Sequence, residues 1–229
     1  MQWDSVIDFP GRVAAIVWTV GCNLRCPFCY NGELVLPEKT SSLPRLPTEG
    51  ILEELARRRG FLDGLAITGG EPTLQGDLAE FLREVRALGL EVKLDTNGTN
   101  PQALEVLLSQ GLVDYVALDV KAPFPRYPEL TGIRRDVSGQ VQDSIRLLAQ
   151  SGVDYELRTT AVPGISGEDL REIARSIRGA KRYVLQPFFV PPGKELIQPD
   201  WAARPHLTER ELFQLAEELN RIVPCHVRA

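Results

Sequence analysis

The sequence predicts an α/β protein, a partial (β/α)6 barrel of parallel strands. Short apolar runs of strand length alternate with segments of helical period, and six such pairs follow one another along the chain. Repeated β-then-α units require right-handed crossovers and hence a parallel sheet, and six units favour a partial barrel over a doubly wound open sheet. A chain of 229 residues can bury one sizeable core, so residues 1–229 are read as a single domain.

The first run, Val13–Thr19, is apolar throughout, as a strand buried on both faces would be. Thr48 is placed to cap a helix reaching about Arg59; 64–68 is the next strand, and 78–88 a helix stopped by Gly89. Residues 91–96 read as strand, 101–110 as a helix whose Pro101 suits the first turn, and 115–119 as strand. After a proline-rich loop come helix 139–150, strand 155–162, helix 167–177 and strand 182–187. Thr208-Glu209-Arg210-Glu211 then reads as a capping box that opens a closing helix, 208–222. Two proline-bearing irregular stretches, 31–47 and 188–205, exceed ordinary connection lengths and are read as lids or partner-contact loops.

Composition excludes several classes. The hydrophobic fraction of 43% and charged fraction of 25% are those of a soluble globular protein. No apolar run approaches the ~20 residues that span a bilayer, so no membrane association is expected. The first residues lack a basic segment followed by an apolar one, which points to the cytoplasm. A net charge of -5 offers no global attraction to phosphate, so nucleic acid is not expected as a partner. The basic clusters Arg57-Arg58-Arg59 and Arg134-Arg135 are read as solvated faces.

Chemistry concentrates at Gly21-Cys22-Asn23-Leu24-Arg25-Cys26-Pro27-Phe28-Cys29, three thiols in one loop after the first strand. Thiolates are the usual ligands of iron-sulfur clusters, and a cubane normally takes four; three local thiols would leave one iron open. The alternative is a zinc site completed by Cys225 or a histidine, although structural zinc sites usually pair two short-spaced ligand dyads. A second motif, Thr68-Gly69-Gly70-Glu71-Pro72, follows the next strand, where paired glycines allow a close backbone approach and a carboxylate can receive an ammonium group. Asp95-Thr96-Asn97-Gly98, Asp119-Val120-Lys121, Arg158-Thr159-Thr160 and Gln186 end later strands, the rim where β/α barrels place their active sites.

The Cys-x3-Cys-x2-Cys loop, with the aromatic Phe28 before its last cysteine, resembles the signature of the radical S-adenosylmethionine (SAM) family. That resemblance implies a [4Fe-4S] cluster on Cys22, Cys26 and Cys29, with the open iron chelated by the amino and carboxylate groups of SAM. It also implies one-electron cleavage of SAM to methionine and a 5′-deoxyadenosyl radical. Thr68, Gly69, Gly70 and Glu71 would then serve the methionyl amino group. By likeness to activating enzymes of the family, Asp95 and Thr96 would position SAM or a nearby monovalent cation, with Asp119 at the same site. Lys121 and Arg158 would complement the SAM carboxylate, and Phe28 and Asn97 are further candidates for cofactor contact. Gln186 departs from relatives that carry a histidine shortly after the sixth strand.

Asp8-Phe9-Pro10-Gly11, Leu94–Gly98, Ala117–Pro123 and Tyr155–Thr160 are similar to activating proteins of glycyl radical enzymes, particularly those of anaerobic ribonucleoside-triphosphate reductase. Tyr30-Asn31 stands where relatives often have His-Asn. The implied substrate is a glycine Cα–H in a loop of a partner glycyl radical enzyme, and the implied electron donor a flavodoxin or ferredoxin. A small-molecule radical SAM synthase of the carboxydeazaguanine type is the alternative, and a non-catalytic metal-binding or electron-transfer protein a third reading. Cys225 reads as a packing thiol, His206 and His226 as surface or capping residues, and Trp3, Trp18 and Trp201 as core or loop anchors.

Overall fold

The computed structural model describes residues 1–228. Its strands are β1 (Gln2–Ser5), β2 (Ala14–Thr19), β3 (Gly64–Gly69), β4 (Glu91–Thr96), β5 (Tyr115–Asp119), β6 (Asp154–Ala161), β7 (Tyr183–Pro187) and β8 (Cys225–Val227). They form one eight-stranded sheet in sequential order, β1 antiparallel to β2 and the rest parallel. An order without reversal is that of a barrel wall rather than a doubly wound sheet, and β1 and β8 do not pair, so the barrel is partial. The helices are α1 (Gly32–Val35), α2 (Pro37–Thr40), α3 (Thr48–Arg58), α4 (Leu78–Ala87), α5 (Pro101–Ser109), α6 (Tyr127–Thr131), α7 (Ser138–Ser151), α8 (Gly167–Ser176) and α9 (Glu209–Leu219).

Most expected elements fall within a residue or two of their places. Thr48 is one difference: it is the first helical residue of α3 and Pro47 precedes it as the cap, with no side-chain capping bond. Ser166 and Thr208 do form reciprocal capping boxes, with Asp169 and Glu211. The sheet exceeds six strands because β1 pairs as an antiparallel edge and Cys225–Val227 extends it beyond β7. Both additions are too short to carry a period of their own. The irregular stretches 31–47 and 188–205 hold α1, α2 and a 3-10 turn at Pro199–Ala203.

The period of two sorts each strand into a helix-facing and an inward face. Val92 and Leu94 of β4, Val116 and Leu118 of β5 and Leu157 of β6 are fully buried under the helices, each contributing ~1.5–3 kcal/mol. The inward face begins with small residues. Ala14, Ala117 and Gly64 leave room for Phe9, whose ring lies 6.1 Å from that of Tyr115, so the Asp8-Phe9-Pro10-Gly11 segment floors the barrel.

Beside Phe9 the floor is ionic. Glu156 is fully buried and accepts two hydrogen bonds from Arg228, at 2.6 and 2.7 Å, and one from the Tyr115 hydroxyl at 2.8 Å. Burial pushes the Glu156 carboxyl up, but Arg228 and Tyr115 outweigh it and hold it below the ordinary range. Arg228→Met should destabilise the fold by about 2 kcal/mol, less than the ~3–5 kcal/mol typical of a broken buried pair because Arg228 is partly exposed and Tyr115 still donates. A depressed carboxyl contributes stability above its unfolded pKa of ~4.3 and loses it as pH falls. Urea midpoints of parent and variant should therefore converge in acid.

Candidate active site

The cysteine loop leaves the end of β2 and is held by backbone bonds from three directions. Gly21 N–H donates to Leu34 O at 2.7 Å, Arg25 N–H to Thr131 O at 2.9 Å, and Ile197 and Gln198 N–H groups to Cys29 O and Pro27 O at 2.9 Å each. Both irregular stretches thus brace the thiol loop. Phe28 packs on Trp201 with ring centroids 5.9 Å apart. At Gly132, which has φ +67°, a β-carbon would lie 2.0 Å from the Arg25 carbonyl oxygen. Gly132→Ala is therefore expected to displace the loop and lower bound iron per chain after anaerobic reconstitution at least several-fold. Gly139→Ala, with open space around it, should load as the parent does.

Side chains tie the loop to the end of β4. Asn97 Nδ2 donates to Asn23 Oδ1 at 3.0 Å and reaches Cys22 Sγ at 3.8 Å, Asn23 Nδ2 donates to Thr99 Oγ1 at 2.8 Å, and Leu24 N–H donates to Cys22 Sγ at 3.4 Å. Burial pushes all three thiols up, Cys26 to about 12.

At the end of β3, Gly69 and Gly70 lie against the backbone of β2 and Gly21. A β-carbon on Gly70 would stand 2.0 Å from Gly21 O, and Glu71 N–H donates to that same oxygen at 2.8 Å. The Glu71 carboxylate is fully buried and accepts from Thr73 N–H at 3.1 Å, Thr73 Oγ1 at 2.6 Å, Thr96 Oγ1 at 2.7 Å and Asn97 N–H at 2.7 Å. Four donors match its lone-pair capacity. Glu71 joins the ends of β3 and β4, and its carboxylate is engaged by four donors rather than free as expected from sequence.

The next three strands carry a chain of charge. Lys93 hydrogen-bonds Asp95; Arg158 faces Asp95 at 3.5 Å and donates through Nε to Asp119 Oδ1 at 2.8 Å; Lys121 reaches Asp119 Oδ2 at 3.3 Å. Three cations against two carboxylates leave one net positive charge. Burial alone would push Asp119 up, but Arg158 and Lys121 hold it down to about 2. Both carboxylates already face this chain's own cations, so a monovalent cation would have to share them. Lys93, 3% exposed, was missed in the sequence; its signal is the same-face spacing to Asp95, two residues on.

All the candidates converge. Cys22, Cys26, Cys29, Phe28, Thr68, Gly69, Gly70, Glu71, Asp95, Thr96, Asn97, Asp119, Lys121, Arg158 and Gln186 line one cleft of about 460 Å³ at the C-terminal ends of the strands. Trp18, Tyr30 and Phe189 stand at its mouth, 36%, 39% and 62% exposed, so the cleft is open. Asp8, Leu24, Thr160 and Phe188 also line it.

The donor set fits a cluster with an open iron. Three thiols face a shared space, and Cys225 pairs with Tyr183 at the start of β7, the opposite end of the barrel, where it cannot serve as a fourth ligand. Among the described residues no three His, Cys, Asp or Glu side chains gather as a lone metal ion needs, whereas a cubane spreads its thiolates over separate irons. No helix among those residues is long and apolar enough to cross a membrane.

The family model described as the radical SAM superfamily matches residues 16–177. A Methanocaldococcus jannaschii protein named as a candidate glycyl-radical enzyme activating enzyme is 34% identical over 218 residues, 93% of this chain and 87% of its own. The pyruvate formate-lyase-activating enzyme of Clostridium pasteurianum is 28% identical over 195 residues, 80% of this chain and 78% of its own. Streptococcus suis SuiB, solved with S-adenosylmethionine bound, superposes with a TM-score of 0.71 at 16% identity, covering 95% of this chain and 51% of SuiB. This chain thus spans about half of SuiB, and the likeness is one of fold.

Proposed function

The chain belongs to the radical SAM superfamily, and from that membership we propose that it activates a glycyl radical enzyme, of the anaerobic ribonucleotide reductase type, by removing one glycine Cα hydrogen. The observation that carries the reading is the single open cleft in which the thiol loop, the Gly-Gly turn and the charged strand ends meet. Likeness to activating enzymes along most of the chain supports the class of substrate.

When bound, a [4Fe-4S] cluster and SAM supply one electron, methionine and a 5′-deoxyadenosyl radical that takes the substrate hydrogen. Cys22, Cys26 and Cys29 would hold the cluster. Arg158 and Lys121 carry the excess positive charge that receives the SAM carboxylate, and the Asp95 and Asp119 carboxylates fix both cations in place. The backbone at Gly69-Gly70, held close against Gly21, would take the amino group. Trp18, Tyr30 and Phe189 are exposed beside the cleft, and an open cleft suits a substrate that arrives as a polypeptide loop, whereas an activated small molecule would call for a sealed chamber that excludes water.

The test is anaerobic reconstitution with iron and sulfide, reduction, and electron paramagnetic resonance with and without SAM, followed by addition of an anaerobic ribonucleotide reductase. The expected result is a cluster signal that shifts with SAM, formation of 5′-deoxyadenosine, and a glycyl doublet on the reductase. SAM cleavage with no glycyl signal would overturn the choice of substrate.

A further inference from the structure

The cysteine loop has two sides. Cys22, Leu24 and Cys26 line the cleft, while Asn23 and Arg25, between them in sequence, do not. Arg25 lies back along the loop, its Nη1 donating to Cys22 O at 2.6 Å and Leu24 O at 2.7 Å, which fixes a guanidinium over the outer surface of the thiol segment. The chain that packs against this outer side is the end of α6, through Arg25 N–H to Thr131 O and the contact of Gly132 with the Arg25 carbonyl. Two and three residues beyond Gly132 stand Arg134 and Arg135, both exposed, and two to three residues of chain reach at most about 7–11 Å.

None of Arg25, Arg134 and Arg135 has a carboxylate partner among the described residues, although most arginines of this chain are ion-paired. Asp136, the adjacent carboxylate, is bound to Ser138 N–H. The protein as a whole carries a charge of -5. A local surplus of unpaired arginine on an acidic protein steers an oppositely charged partner to one place.

We propose that Arg25, Arg134 and Arg135 form the docking surface for an acidic one-electron carrier protein, which delivers its electron through the outer face of the cysteine loop. This inference rests on the radical SAM reading, since only a redox group behind that loop gives the carrier a reason to bind there. Its position accounts for something the cleft alone does not. The mouth must admit a substrate loop, and a donor approaching from the far side of the thiols leaves that mouth free.

The test uses the reconstituted protein and an acidic flavodoxin as probe, with affinity followed by fluorescence titration at 50 and 200 mM salt, about the range over which exposed charges are screened. Arg134→Glu/Arg135→Glu is expected to weaken binding at least tenfold at low salt, flatten the salt dependence, and slow cluster reduction by flavodoxin hydroquinone to the same degree. Dithionite-driven 5′-deoxyadenosine formation should be unchanged. Arg59→Glu/Arg178→Glu, an equal change of net charge at exposed arginines elsewhere, should leave binding within twofold of the parent. Equal binding by the first variant, equal loss by the second, or no binding by the parent would overturn the proposal. Failure of the activase reading is separate, because it is read from the glycyl signal under dithionite, where no carrier takes part.

Discussion

Gly70→Ala is expected to abolish SAM binding and most cluster loading while leaving the barrel folded. The added β-carbon would stand 2.0 Å from Gly21 O and 2.6 Å from Gly21 C, both backbone atoms, so no side chain can turn aside. The ends of β2 and β3 would have to part, breaking the bonds from Gly70 N–H to Thr19 O and from Glu71 N–H to Gly21 O. These two bonds join the thiol loop to the Gly-Gly turn, so both halves of the cofactor site are lost together. Equilibrium dialysis with SAM should show at least a hundredfold weaker binding, with iron per chain reduced in parallel. Gly76→Ala, where a β-carbon meets nothing within 4 Å, should match the parent in both. Full iron and unchanged SAM affinity in Gly70→Ala would show that the close approach of the two loops is dispensable.

Arg158→Met should cost about 3 kcal/mol of stability, the low end for breaking a buried pair, because Lys93 still faces Asp95 and Lys121 still faces Asp119. It should also weaken SAM binding at least tenfold by removing the net positive charge of the strand ends. Adding Asp119→Asn to Arg158→Met leaves the Lys93–Asp95 pair intact and one net positive charge on Lys121, so SAM binding should partly recover, which tests the charge argument apart from the pairing. The pH dependence follows from the sign of the Asp119 shift. Held down to about 2 in the folded protein, against ~3.9 unfolded, it contributes stability above pH ~4 that is lost as pH falls toward 2. Urea midpoints of the parent should fall steeply over that window, and those of Asp119→Asn should fall less.

That the candidate residues share one cleft was legible in the sequence because each sits in a short motif at the end of a strand whose period was readable. The thiol spacing, the Gly-Gly-Glu-Pro turn and the strand ends at Asp95, Asp119 and Arg158 needed no knowledge of distant contacts. The role of Glu71 was not legible. A carboxylate beside two glycines looks available to a ligand, and only its four buried donors, two from β3's own turn and two from the end of β4, show it to be spoken for. Lys93 was hidden in the same way, as one lysine in an otherwise apolar strand.

By itself the sequence determined the order of the six central strand-and-helix units, their parallel arrangement, the thiol loop and the rim on which the polar residues collect. All of these follow from periodicity and spacing within about ten residues of chain. The tertiary structure alone decided what holds the thiol loop in place and what closes the barrel beneath it. Arg25 meets Gly132, Glu156 meets Arg228, and Cys29 meets Ile197 across long intervals of chain. Backbone approaches of this kind leave no local pattern, because any residue can donate an N–H and a glycine needed for a distant close contact reads in sequence like any glycine in a turn.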